Sequence, residues 1–186
     1  MSSNIDDFVW CDDERSLRDA TDVIKRCSEV VLDCEGQDLG QQGGSLSLIN
    51  FRTIGPEIPN TYLIDVLSLT KDALRPVFDI IQSSSPTKVM FDGRMDYSEL
   101  FHEYGTPICG ALDLQLADIH SRRQRGEDEE DQLRRLSPYL KRGEVVGQQN
   151  SYTQVHKLCS LQQCLREHSV DNGIQANHAT GHSLVR

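Results

Sequence analysis

Apolar positions along the chain change period as they run from one end to the other. Near the start, Leu17, Ala20, Val23 and Ile24 recur at helical spacing within an acidic stretch, residues 1–28. The next run, Val30-Val31-Leu32-Asp33-Cys34, is short and β-branched and predicts a buried strand. Gly36, Gly40, Gly43 and Gly44 mark a turn before a second strand, Leu46-Ser-Leu-Ile-Asn-Phe51, with partial alternation. Gly55 and Pro56 end it, and Thr61-Tyr-Leu-Ile-Asp-Val66 supplies a third. Three strands joined by connections of loop length predict an antiparallel meander.

Beyond the meander the period becomes helical. Leu74, Val77, Phe78 and Ile81 fall at i, i+3, i+4 and i+7, and Pro76 must then sit in the first turn of that helix. Thr87-Lys-Val-Met-Phe91 reads as a fourth strand. Tyr97, Leu100, Phe101 and Tyr104 form another helical stripe, closed by Gly105 and Pro107. Ile108–Leu112 gives a weak fifth strand, followed by a helix carrying Leu116 and Ile119. Residues 121–135 are dense in charge and read as a loop or solvated helix. A last helix is expected over Tyr152–His168, with Val155, Leu158, Leu161 and Leu165 on one side. Residues 169–186 lack periodicity and predict a disordered tail. A meander followed by alternating helices and strands predicts an α/β domain over 1–168, a mixed sheet with helices on its faces.

Composition narrows this only a little. A chain of 186 residues suits one domain. No stretch approaches a membrane span, and the N-terminus lacks a signal-peptide pattern. Six cysteines without a regular framework read as reduced thiols in a cytoplasmic or nuclear protein. The net charge of −10 argues against broad non-specific nucleic-acid binding, but not against an acidic cluster that holds cations against phosphate. A zinc site from Cys159, Cys164, His168, His178 and His182 is disfavoured, because the two cysteines lie five apart in an expected helix.

Two motifs carry chemistry. In Asp33-Cys34-Glu35-Gly36, the alternation of a strand sends both carboxylates to one side. That pairing costs repulsion unless a hard divalent ion sits between them, and Gly36 would allow a substrate backbone close approach. The same pair also reads as edge acids facing water. The second motif, Asp92-Gly-Arg-Met-Asp96, opens a helix after the fourth strand. If that strand lies parallel beside the first, Asp96 meets Asp33 and Glu35 at the carboxyl ends of the strands. Asp96 is equally at home as an acid at a helix N-terminus, and Asp92 reads as a turn or cap residue. Asp113 and Asp118 are expected to cap or position a helix.

Across roughly residues 8–120 the order VVLDCEG, GSLSLI, YLIDV, KVMFDGRMDYSEL, LDLQLAD resembles the ribonuclease-D-like branch of the DEDD 3′–5′ exonucleases, in particular eukaryotic and fungal members. The resemblance implies a ribonuclease-H-like fold and two-metal phosphodiester hydrolysis with Mg²⁺ or Mn²⁺. It implies a single-stranded 3′ end, RNA or DNA, as partner, and leaves a homodimer open. Asp33, Glu35 and Asp96 match the family's metal-binding catalytic acids. The third motif of that family, Tyr-x₃-Asp or His-x₄-Asp, has no counterpart here, since no Tyr or His is followed by Asp at either offset. A non-catalytic adapter that binds nucleic acid or dimerises on the same fold is therefore the second reading.

Overall fold

The computed structural model describes residues 8–55, 60–140, 149–152 and 155–168. The expected disordered tail and the tail histidines lie outside these residues. The chain divides into two compact units, Met1–Gly126 and Glu127–Arg186.

The first unit is built on a mixed six-stranded sheet with strand order β1-β4-β3-β2-β5-β6. Its strands are β1 (Phe8–Cys11), β2 (Glu29–Gln37), β3 (Ser45–Thr53), β4 (Thr61–Asp65), β5 (Thr87–Met90) and β6 (Ala111–Asp113). The expected meander is present: β2 pairs with β3, and β3 with β4, antiparallel. β5 lies parallel beside β2, and β6 parallel beside β5. Strand β1 did not show in the pattern, because four residues beside acids carry too little periodicity. It is fixed by parallel pairing with β4, from Phe8 opposite Thr61 to Cys11 opposite Ile64.

Helices α1 (Glu14–Ile24), α2 (Arg75–Gln82), α3 (Arg94–Tyr104) and α4 (Leu114–Gln124) complete the unit. Asp13 caps α1, accepting the Arg15 and Ser16 N–H groups at 2.9 and 2.8 Å. Pro76 sits in the first turn of α2, as its missing N–H requires. The core gathers Leu17, Ala20 and Ile24 of α1, Val77 and Ile81 of α2, and Leu100 of α3 over one face of the sheet. That face presents Val30, Leu32, Cys34, Ile49, Phe51 and Ile64. Each of the larger of these side chains contributes about 1.5–3 kcal/mol by leaving water. Lys88 is a charged residue set into this apolar core. It is fully buried, and its Nζ donates to the carbonyls of Ile80 and Ser83 where α2 ends.

Two expected stripes are corrected. On α3 the buried positions are Asp96, Glu99 and Leu100, while Tyr97 and Phe101 stand exposed and stack on each other at 5.6 Å. On α4 the buried positions are Gln115, Asp118 and Arg122, and Leu116 faces outward. In both helices polar groups take the inner face because they have partners there, which an apolar count cannot register. The second unit holds α5 (Glu129–Leu136), α6 (Gln149–Tyr152) and α7 (Leu161–Glu167). The single helix expected over Tyr152–His168 is interrupted. Residues 155–160 are not helical, and α7 starts afresh where Ser160 accepts the Gln163 N–H. No residue of α7 is buried, so the predicted apolar stripe does not organise it. Among the described residues no helix is long and apolar enough to cross a membrane, and none of the six cysteines forms a disulfide.

Candidate active site

Strand β2 alternates sharply at its carboxyl end. Cys34 turns into the core, while Asp33 and Glu35 leave on the opposite face and are exposed. Asp96 arrives from α3. Its Oδ1 accepts the Cys34 backbone N–H at 2.7 Å, across 62 residues of sequence. The backbone between the two strand acids is thus tied to the helix acid, and Asp33, Glu35 and Asp96 gather at one sheet end.

The electrostatics of this cluster are one-sided. Partial burial at the strand end first, then the charges of Asp96 and Glu35, hold the Asp33 carboxyl above its ordinary range. Burial also raises Asp96, which is only 8% exposed, and Glu35 adds to it against the lowering pull of the Cys34 N–H. Among the described residues no basic side chain acts on either acid. Burial and the same three carboxylates push the Cys34 thiol well up, which makes it inert as a nucleophile.

Three supports hold the acids in place. Asp92, at φ 58°, makes a left-handed turn between β5 and α3 and pairs with Arg94 at 2.5 Å. It serves the turn, while Gly93 holds the cap position. Asp113 accepts the N–H groups of Asp92 at 3.2 Å, Gly93 at 3.1 Å and Gln115 at 2.8 Å. As expected, this acid positions helices: it caps α4 and also clasps the turn that launches α3. Asp118 pairs with Arg122 one turn along α4. Third, the β2–β3 loop is pinned to α3. Glu99 accepts the Gly40 N–H at 2.9 Å and the Ser98 hydroxyl donates to the Gly40 carbonyl at 3.0 Å. Sequence reasoning passed over Glu99, although its i+3 spacing from Asp96 places both on one helix face.

Gly36 has a reason within the chain. The β2–β3 register shifts between Glu35 and Gly36, and a Cβ at Gly36 would lie 2.0 Å from the Ser45 carbonyl oxygen. Directly across from Asp33 stands Asn50, whose Oδ1 is buried without a hydrogen-bond partner.

The donor set suits a hard divalent cation. Asp33 and Glu35 offer exposed carboxylates on one face, Asp96 adds a third, and among the described residues no cation offsets Asp33 or Asp96. Hard divalent ions take oxygen ligands of this kind.

An acidic cluster at the carboxyl end of adjacent parallel strands, on a sheet of this order, defines a class. Over residues 8–169 the chain matches the 3′–5′ exonuclease family, and it belongs to that family. Its fold is the ribonuclease-H-like one shared by solved relatives. Ribonuclease D of Trypanosoma brucei in complex with RNA U12 is 27% identical, with a TM-score of 0.52, over 58% of this chain and 37% of that one. Ribonuclease D of Escherichia coli, described as an exoribonuclease involved in structured RNA processing, is 19% identical with a TM-score of 0.54, over 72% and 34%. The Nibbler EXO domain of Aedes aegypti is 17% identical with a TM-score of 0.56, over 88% and 83%. The chain spans less than two thirds of either ribonuclease D. No curated protein sequence matches it at a significant level. The fungal affinity expected from the motifs finds no support among these relatives.

Proposed function

We propose that this chain is a 3′–5′ exonuclease domain that binds the single-stranded 3′ end of a nucleic acid, RNA or DNA, at Asp33, Glu35 and Asp96. The observation that carries the reading is the 2.7 Å bond from the Cys34 N–H to Asp96, which binds the helix acid to the strand acids. Two divalent ions, Mg²⁺ or Mn²⁺, would supply an activated water and stabilise the leaving 3′ oxygen. The chain's own part is to hold the carboxylates together and oriented toward the cations. Asp96 is fixed by the Cys34 backbone N–H, and α3 is fixed by the Asp113 clasp. Gly36 leaves the strand end slim where a substrate backbone would pass. Six cysteines without a disulfide fit a reducing compartment, the cytoplasm or nucleus.

A specific observation favours a second reading. No Tyr-x₃-Asp or His-x₄-Asp occurs in these residues, so the family's general base and fourth acid have no counterpart. Loss of such a group costs about 10²–10⁴-fold in rate. The expected outcome is that the chain binds a 5′-labelled oligonucleotide in Mg²⁺ and shortens it slowly from the 3′ end. EDTA and Asp96→Ala should each stop the shortening. Tight binding with no shortening, unchanged by Asp96→Ala, would establish the non-catalytic adapter instead.

A further inference from the structure

The sheet face opposite the core, where Asp33 and Glu35 emerge, is crossed by a row of directly opposed residues. Trp10 pairs with Leu63, Leu63 with Asn50, and Asn50 with Asp33. Opposed residues share a face, so the row runs unbroken from edge strand β1 to the acid cluster. Its outer end is aromatic and open: Trp10 is 45% exposed, and Phe8, on the same face of β1, is 54% exposed. In the adjacent row Phe8 pairs with Thr61 and Thr61 with Arg52. The Arg52 guanidinium is exposed and donates at 3.2 Å to the hydroxyl of Thr61, the residue directly opposite Phe8. Among the described residues no carboxylate pairs with it.

We infer that this face is a binding track for single-stranded nucleic acid, in which bases upstream of the 3′ end stack on Trp10 and Phe8 while Arg52 meets the backbone. The inference rests on the proposed function and adds where the strand lies. Strands stand about 4.8 Å apart, so three spacings separate Asp33 from Trp10 by about 14 Å, a few nucleotides of an extended strand. Aromatic faces accept any base, and a cation at the rim serves the phosphates, the pairing by which sequence-tolerant single-strand sites work. The track also resolves how a chain of net charge −10 grips a polyanion. Stacking does much of the work, and the cation stands on the same face as the stacking rings.

Trp10 is the sole tryptophan of the chain, so its emission reads the track directly. The experiment titrates the full chain in Ca²⁺ with a dinucleotide and with a single strand of about eight nucleotides. Binding is followed by anisotropy of a 5′ label and by tryptophan fluorescence. The longer strand should quench Trp10 and the dinucleotide should not. Trp10→Ala should weaken binding of the longer strand about tenfold, with Trp10→Phe restoring most of it. Arg52→Gln should lower the salt dependence of binding by about one phosphate. Binding that leaves Trp10 emission unchanged and Trp10→Ala neutral overturns the track while the exonuclease reading stands. Absence of binding with any divalent ion overturns both. Quenching that follows protein concentration instead of oligonucleotide assigns the face to a second copy of the chain and overturns the track.

Discussion

Asp33 and Asp96 both carry carboxyls raised above their ordinary range, burial being the larger cause in each, with the neighbouring acids adding to it. A carboxyl raised in the folded state favours folding only while protonated. That contribution is full below the unfolded pKa and is lost as pH rises through the folded pKa. At neutral pH the cluster therefore costs the cation-free chain stability. Asp33→Asn should raise the melting temperature in EDTA, with the gain largest near neutral pH and shrinking as pH falls through the carboxyl range. Divalent ion should stabilise both proteins, but unequally. At about one hundred times its dissociation constant it stabilises the native chain by about 2.7 kcal/mol, and the substituted chain by much less. Melting curves across pH, with Mg²⁺ or EDTA, check both. At this scale the sequence was most informative: the D-x-E spacing and the aspartate opening a helix were legible, because period-2 alternation and helix starts are local rules. Glu99, Asn50 and Trp10 were not, because what distinguishes them is a partner, or the lack of one, far away in the chain.

Among the elements, strand β2 bears the tightest demands. It pairs on both edges, carries the acids on one face and core residues on the other, and ends in a register shift at Gly36. Gly36→Ala would drive a methyl group into the Ser45 carbonyl, which is backbone and cannot rotate aside. The expected outcome is a loss of about 1–3 kcal/mol, as for other overpacked sites, seen as a lower urea midpoint with a weakened response to divalent ion. A midpoint shift that leaves the cation response intact would separate the fold from the site. The meander and the parallel β5 followed from strand lengths and connection lengths. The stripes on α3 and α4 misled because buried Glu99, Asp118 and Arg122 find polar partners, so the inner face of each helix is not its most apolar one. The break before α7 escaped notice for another reason: leucines at helical spacing do not reveal that Ser160 begins a new helix.

For the molecule as a whole, the acid cluster is a long-range product. Neighbouring strands β2 and β3 could meet early, but Asp96 reaches Cys34 only once the chain between them, α2 and β5 included, has closed a separation of 62 positions. Contacts of such separation carry a loop-closure cost and tend to form late. One amide proton thereby becomes a gauge of the finished site. The Cys34 N–H donates to a side chain and not to the neighbouring strand, so its resonance in a ¹⁵N spectrum should sit apart and exchange slowly while Asp96 is in place. Asp96→Ala should release that proton to solvent exchange while the amides of Val30 and Leu32, within the same strand, keep their protection. The chain would then carry its own spectroscopic record of whether an exonuclease site has been assembled, readable without substrate and without a single turnover.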